Sequence, residues 1–101
     1  MRELIEKLRC FTKERDWEQF HLPKNLVMAL SIEVGELMEY FQWSKPEETE
    51  INRLNLIEKN GVKNEIGDIV IYIAMLADRL GIDPIKAAHD KIELNRIKYP
   101  V

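Results

Sequence analysis

The chain carries one eight-residue pattern twice, as Glu33-Val-Gly-Glu-Leu-Met-Glu-Tyr40 and as Glu65-Ile-Gly-Asp-Ile-Val-Ile-Tyr72. In each copy two acidic residues stand three positions apart with a glycine between them, and a tyrosine follows four positions after the second acid. Both copies lie within largely apolar stretches. Because residues three or four positions apart share one face of an α-helix, the pattern predicts two helices that each present a pair of carboxylates.

Helical periodicity continues outward from these two copies over most of the chain. The first copy belongs to a helix predicted over Lys24–Trp43, which Pro23 opens. The second belongs to a helix predicted over Val62–Leu80, which Gly81 ends. The other predicted segments are a first helix over residues 2–15, an interruption over Asp16–Pro23, a polar helical stretch from Ser44 to a break or kink at Asn60-Gly61, and a last helix from Asp83-Pro84 to Tyr99-Pro100. No strand is predicted, so we expect an all-α bundle.

Length and composition are those of one helical domain over residues 1–101, with 46% hydrophobic and 33% charged residues. A chain of this length buries roughly 65% of its unfolded surface, so further burial by self-association would be favourable. The net charge of −3 offers no electrostatic basis for binding duplex nucleic acid. Cys10 is the only cysteine, which fits the reducing cytoplasm, and the most apolar run, Ile69–Ala77, is too short to span a membrane.

Periodicity places the repeated acids on helix faces that should be buried. Glu33 shares a stripe with Leu30 and Leu37, and Glu65 shares one with Ile69. An ionised carboxylate in such a place costs several kcal/mol unless it is paired or binds a cation. Converging carboxylates would also repel one another and raise at least one pKa. The candidate metal ligands are Glu33, Glu36, Glu65 and Asp68. Either Mg²⁺ or Mn²⁺ suits an all-oxygen ligand set.

The two glycines of the pattern are expected on the side opposite the acids, because two residues are separated by about 200° around a helix. Each glycine costs about 1 kcal/mol relative to alanine in a helix interior. We therefore expect another helix to approach closely at Gly35 and Gly67, behind the acids.

Three stretches resemble the MazG-like superfamily of all-α nucleotide pyrophosphohydrolases, and most closely its dCTP pyrophosphatase branch. They are Glu14-Arg-Asp-Trp-Glu-Gln-Phe-His21, Glu33-Val-Gly-Glu-Leu continuing to Phe41-Gln-Trp43, and Lys91–Pro100. The superfamily is marked by Glu-x-x-Glu on one helix and Glu-x-x-Asp on a later one, which together bind Mg²⁺. The resemblance implies a four-helix bundle completed by subunit association, as a homodimer or homotetramer. It also implies hydrolysis of a (deoxy)nucleoside triphosphate such as dCTP to the monophosphate and pyrophosphate, which removes unwanted nucleotides.

The resemblance further implies a role for individual residues. The metal ligands and catalytic acids would be Glu33, Glu36, Glu65 and Asp68. The nucleobase and sugar would be bound by Trp17, His21 and Trp43, with Tyr72 nearby, and the triphosphate would meet Lys91, Asn95 and Tyr99. Many MazG-like proteins have a further glutamate just before each motif, where this chain has Ile32 and Asn64. Which carboxylate, if any, activates water therefore stays open.

Two other interpretations of the acids also stay open. A non-catalytic helical metal-binding interaction module would melt in a metal-dependent way without turnover. A plain helical dimerisation domain would keep or gain stability in Glu33→Gln and Glu65→Gln. The first of these leaves the aromatic residues of the Asp16–Pro23 interruption, and the Lys91–Tyr99 face, without a purpose.

Overall fold

The computed structural model describes residues 1–50 and 53–101, and every regular element within them is helical. In this part of the chain helix α1 spans Arg2–Glu14, α2 spans Pro23–Glu39, α3 spans Leu56–Leu80 and α4 spans Pro84–Lys98. Short 3₁₀ turns lie at Glu18–Phe20 and Pro46–Thr49. The predicted all-α fold is confirmed. None of the helices in the described residues is both long enough and apolar enough to cross a membrane.

The turn between α3 and α4 follows the sequence prediction at both ends. Gly81 ends α3 with a φ of 68°, in the left-handed region that glycine adopts without a steric penalty. The Asp83 side chain accepts hydrogen bonds from the backbone N–H groups of Ile85 and Lys86, at 3.0 and 3.1 Å. Pro84 takes the first helical position, where a missing donor costs nothing. Both predicted boundaries are confirmed.

Helix α3 begins earlier than predicted, at Leu56 instead of Val62. The Asn55 side chain accepts a hydrogen bond from the N–H of Glu58 at 2.8 Å, and the Glu58 side chain accepts one from the N–H of Asn55 at 3.1 Å. This reciprocal pair is a capping box, which satisfies two otherwise unpaired donors and starts the helix there. Asn60-Gly61 lies inside the continuous helix, so the predicted break is wrong.

Helix α2 ends earlier than predicted, at Glu39 instead of Trp43. The N–H of Phe41 donates to the carbonyl of Met38 at 2.9 Å, three residues back. Such short-range bonds tighten the last turn and lead the chain out of the helix.

The polar helical stretch predicted from Ser44 to about Asn60 is wrong as a single element. The chain instead forms the 3₁₀ turn at Pro46–Thr49, flanked by Lys45 and Glu50 in extended conformations that do not propagate a helix. The last part of the stretch belongs to α3. Residues 51 and 52 of the prediction lie outside the described residues.

Helices α2 and α3 form the main packed pair, and α1 and α4 contact α3 more sparingly. Glu33 on α2 lies beside Glu65 on α3, whereas Tyr40, further along α2, lies against Gly61, further back on α3. The two helices therefore run antiparallel, with the acids near the middle of the pair.

Helix α1 is tied to α3 by an ion pair between Arg9 and Asp78. The guanidinium donates from Nε to Oδ2 at 2.9 Å and from Nη2 to Oδ1. These bonds hold the pKa of the Asp78 carboxyl below its ordinary value. Thr12, one turn further along α1, is buried. No local sequence pattern predicts this contact, because its two partners are 69 residues apart in the chain.

Little apolar surface is buried within one chain. Among the described residues the buried apolar side chains are Leu26, Ala74 and Ala77, and none of the large side chains is completely buried. The accessible surface is 8331 Å², against about 6,000 Å² for a compact monomer of this mass. The radius of gyration is 16.5 Å, against about 13 Å for a compact chain of this length. A single chain is thus an open arrangement of helices.

Many large apolar side chains remain exposed on α2, α3 and α4. They include Val27, Met28, Val34, Met38, Ile66, Val70, Ile73, Ile85, Ile92, Leu94 and Ile97. The spacing of Ile66, Val70 and Ile73 forms one continuous stripe along α3, which we call the α3 apolar stripe.

The close helix approach predicted at Gly35 and Gly67 is not found within the chain. A Cβ atom built on either glycine would have no neighbour within 4 Å among the described residues. The expectation is wrong for the single chain because both glycines face away from the α2–α3 contact.

Asn55→Ala is expected to lower the free energy of unfolding by about 1 kcal/mol, since it removes the acceptor that starts α3. Chemical denaturation would measure the change. Asn60→Ala, an exposed asparagine within the same helix, is the matched control and should have no destabilising effect. Equal stability of the two variants would contradict a capping role for Asn55.

Candidate metal centre

Helices α2 and α3 bring three carboxylates together at the centre of their contact. Glu33 and Glu36 share one face of α2, Glu65 comes from α3, and one oxygen from each lies within 4.8 Å of the others. Glu33 and Glu65 are half-buried, and each has a buried Oε2 without a hydrogen-bond partner. A buried oxygen without a hydrogen-bond partner costs free energy. Both oxygens are therefore suited to bind a proton or a cation.

The electrostatics of the cluster favour protons or a cation. The pKa of Glu33 is raised, first because its protonated form can donate a hydrogen bond to Glu65, and next because burial disfavours its charge. The negative charges of Asp68 and Glu65 add to that shift. The pKa of Glu36 is raised first by hydrogen bonding with Glu33 and then by the charge of Glu33. The cluster therefore resists full ionisation unless positive charge is supplied.

The donor set fits a hard divalent cation. All available ligand atoms are carboxylate oxygens from Glu33, Glu36 and Glu65, and oxygen ligands suit Mg²⁺, Mn²⁺ and Ca²⁺ better than softer metals. A cation would give the two buried oxygens a partner and would offset the mutual repulsion of the carboxylates.

Asp68 stands apart from this group. It lies one turn after Glu65 on α3 and its charge is felt at Glu33, but its side chain is exposed and outside the three-carboxylate cluster. The expectation that all four acids are buried is therefore wrong. Periodicity placed these faces towards a core, but among the described residues Asp68 remains exposed and Glu33 and Glu65 are only half-buried.

The residues expected at the nucleobase are spread over three places, and two of them, Trp17 and His21, lie just before α2. The rings of Trp17 and His21 are 6.5 Å apart, and Trp17 also packs edge-on against Phe11 at 5.8 Å. Trp43 follows the end of α2 and is 90% exposed. Tyr72 is half-buried on α3, one turn after Asp68. Of these four rings, only His21 lines the cleft between α1 and α3.

His21 lines a cleft of about 170 Å³ between α1 and α3. Other residues lining this cleft include Leu8, Arg9, Thr12, Ala74 and Asp78. Ligand pockets commonly measure about 300–1,000 Å³, so this cleft cannot enclose a nucleotide by itself.

Around the acids there is instead an open depression lined by Glu36, Glu39, Tyr40 and Glu65. Glu39 is an acidic residue of this depression that the repeated pattern does not predict, and it lies there because it follows Glu36 by three residues on the same helix face.

The residues expected at the triphosphate lie on and just after α4. Lys91 and Tyr99 are exposed and Asn95 is half-buried. None of the three lines the depression around the acids, and α4 has few contacts with α3. Within the described residues, these three side chains thus lie outside both the depression and the three-carboxylate cluster.

The cation affinity of the cluster is expected to fall as the pH is lowered, because protons compete for Glu33 and Glu36, whose pKa values are raised. The fold should respond in the opposite sense when no metal is present. A raised folded-state pKa means that protonation stabilises the fold, so this stability is present below the ordinary carboxyl pKa and is lost as the pH rises through the raised values.

Calorimetric titration with Mn²⁺ at about pH 5 and about pH 8 would measure the first effect, since the lower pH is closer to the ordinary carboxyl pKa of about 4 and favours protonation. Thermal melts of the metal-free protein over the same interval would measure the second. Affinity that is independent of pH would contradict the assignment of the shifted carboxyls as cation ligands.

Comparison with known proteins agrees with this geometry. The sequence matches the model of the MazG-like family over residues 28–101. It is 46% identical over 100 residues to dCTP pyrophosphatase 1 of Bos taurus, and 43% identical over 99 residues to dCTP pyrophosphatase 1 of Homo sapiens. These alignments cover 98% and 97% of the chain but 59% and 58% of the relatives. The chain thus spans under two thirds of the length of these curated relatives.

A solved structure agrees as well. The crystal structure of a pyrophosphatase from Archaeoglobus fulgidus superposes with a TM-score of 0.91 at 44% sequence identity. The match covers 100% of this chain and 93% of that one. The arrangement of α1 to α4 is therefore shared over nearly the full length of both chains.

Proposed function

The chain belongs to the MazG-like family, and on that premise we propose that it hydrolyses nucleoside triphosphates to the monophosphate and pyrophosphate. The proposed substrate is dCTP or a closely related deoxynucleotide, because the curated relatives are dCTP pyrophosphatases. The proposed role is to remove unwanted nucleotides from the cellular pool. The cytoplasm is the proposed location, in keeping with a free, exposed Cys10.

The observation that carries the proposal is the cluster of Glu33, Glu36 and Glu65, with two buried oxygens that have no partner. A triphosphate is itself strongly negative and would be repelled by three carboxylates. Binding at this place therefore needs cations between protein and substrate. An acidic site that must recruit cations to hold an anion is typical of metal-assisted phosphate chemistry.

We propose Mg²⁺ as the cation, with Mn²⁺ able to replace it. Glu33, Glu36 and Glu65 would hold it, and Asp68 would join them from the next turn of α3. When bound, the cation would neutralise charge on the phosphates and lower the pKa of the attacking water. Because the ligands come from two antiparallel helices, the packing of α2 and α3 would fix the position of the cation. One of the four acids is the proposed base for water.

The nucleotide contacts are proposed from the family resemblance. The base and sugar would meet Trp17, His21, Trp43 and Tyr72, and the phosphates would meet Lys91, Asn95 and Tyr99. Aromatic stacking contributes about 1–3 kcal/mol per base, and an ammonium or amide can donate to phosphate oxygens.

We propose that the functional unit is a homodimer or homotetramer. The support is the surface that one chain leaves uncovered, including the α3 apolar stripe and the apolar side chains of α4. Lys91, Asn95 and Tyr99 do not line the depression around their own acids. A second copy would both bury apolar area and supply surfaces that the open site lacks.

The experiment that tests the function is incubation with Mg²⁺ and a panel of deoxynucleoside triphosphates, with pyrophosphate resolved from orthophosphate. Release of monophosphate and pyrophosphate, fastest with dCTP, is the expected result. Release of orthophosphate alone would mean attack at the γ-phosphate and would contradict the proposed cleavage. Metal-dependent melting without any product would instead support the non-catalytic interaction module.

A further inference from the structure

At the end of α2, one aromatic side chain rests on the bare backbone of α3. The ring of Tyr40 lies directly against the backbone of Gly61. A Cβ atom at position 61 would stand 2.7 Å from Cε1 of Tyr40, and closer still to its Cζ and Oη atoms. Any residue other than glycine would therefore overlap the ring.

The backbone conformation of Gly61 does not itself require a glycine. Gly61 is inside α3 and does not adopt a positive φ, so its backbone conformation is one that alanine would favour. The glycines of the repeated pattern have open space where a Cβ would be. Contact with the Tyr40 ring is thus what distinguishes Gly61 from Gly35 and Gly67.

The contact lies one helical turn from the acids on both helices. Tyr40, which caps the end of α2, follows Glu36 by four residues, and Gly61 precedes Glu65 by four residues on α3. Four residues correspond to about 6 Å along a helix axis. Tyr40 also lines the same depression as Glu36 and Glu65. The ring therefore forms one end of the acidic site and joins the two helices that carry it.

We propose that Tyr40 and Gly61 form a spacer that sets the separation of α2 and α3 at the carboxylate cluster, and thereby the affinity of the cluster for a divalent cation. The proposal rests on the metal site of the proposed function. Tyr40 is a positioning residue in this arrangement, because it acts through the placement of Glu36 and Glu65.

The physical reason is that a cation site tolerates little error in ligand position. Ligands must be held within about 0.5 Å of the productive geometry by packed neighbours. The cluster takes ligands from two helices, so its geometry depends directly on their separation. An aromatic ring seated on a bare backbone is a rigid contact, because it leaves no side chain at position 61 to rearrange.

The test is Mn²⁺ binding by calorimetry in the purified full chain. Gly61→Ala is expected to lower the affinity for Mn²⁺ by at least about tenfold, as is common when a supporting contact behind metal ligands is lost. Asn60→Ala, an exposed neighbour on the same helix, is the matched control and should bind as the wild type does. Equal affinity of Gly61→Ala and Asn60→Ala would overturn the spacer.

Variants of Tyr40 make the test independent of how well Gly61→Ala folds. Tyr40→Phe keeps the ring and should retain wild-type affinity, whereas Tyr40→Ala removes the spacer and should also weaken Mn²⁺ binding about tenfold. In the Tyr40→Ala background the added methyl of Gly61→Ala has room, so its effect on affinity should largely vanish. Full additivity in this double-mutant cycle, or wild-type affinity of Tyr40→Ala, would overturn the proposal.

These outcomes test the spacer and the metal site as two distinct hypotheses. Failure of the wild-type protein to bind Mn²⁺ would overturn the metal site, and the spacer with it. Binding by the wild type with unchanged affinity in Tyr40→Ala would overturn the spacer alone. A merely structural contact would shift the melting temperature of the metal-free variants without changing the Mn²⁺ affinity of the folded protein.

Discussion

Glu65→Gln and Glu33→Gln are each expected to lower kcat/KM for pyrophosphate release about a thousandfold or more. Each change removes a charged oxygen from the three-carboxylate cluster and leaves an amide, which binds a hard cation more weakly. A thousandfold loss corresponds to about 4 kcal/mol of transition-state stabilisation, within reach of one cation that neutralises phosphate charge. Steady-state assays with Mg²⁺ and dCTP, with pyrophosphate as the product followed, would measure the loss.

Stability provides an internal check on this prediction. Without metal, Glu33→Gln should melt at the same or a higher temperature than the wild type, because a neutral amide removes one of the converging charges of the cluster. Glu3→Gln, at an exposed position in the first turn of α1, is the matched control and should keep full activity. Normal turnover in both cluster variants would show that the acids are not part of the reaction.

Val70→Glu is expected to break the proposed assembly and, with it, most of the activity. Val70 is the centre of the α3 apolar stripe and is 37% exposed in one chain. A glutamate there could reach water if the chain acted alone, and the change would then cost little. Buried against a second copy, the same carboxylate would be desolvated without a partner, at a cost of several kcal/mol for each subunit. Light scattering coupled to size exclusion would report the loss of assembly.

The matched control introduces the same charge elsewhere on the same helix. Asn60→Glu lies at an exposed polar position near the start of α3 and should leave both assembly size and activity unchanged. A Val70→Glu protein of wild-type size and activity would place the stripe in solvent and would exclude it from any interface. Melting curves of both variants would show whether lost assembly also lowers the stability of the fold.

The boundaries of the helices show how far local sequence signals reach. Gly81 and Asp83-Pro84 could be read from the sequence because the conformation of one residue and one side-chain cap decide those ends. The start of α3 was harder, since Ser44 and Asn55 both stand at plausible helix starts and only the latter forms a capping box. Local propensity alone does not decide between two such starts.

In the candidate site, too, some features follow from local sequence spacing and others depend on tertiary packing. Helical spacing was enough to place Glu33 and Glu36 on one face and to pair them with a second acidic helix. The antiparallel register that sets Glu65 beside Glu33, and leaves Asp68 outside, depends on tertiary packing. Burial was overestimated because periodicity shows that a face is apolar but does not show which molecule covers it.

The small core has a consequence for how the protein would behave in a cell. With only Leu26, Ala74 and Ala77 as buried apolar side chains among the described residues, folding energy and subunit association would come from the same surfaces. Mass action then couples them: dilution below the dissociation constant would remove the fold and the catalytic site together. The proposed nucleotide hydrolysis would consequently decline more steeply than protein abundance, and it would be lost below a threshold concentration of the protein.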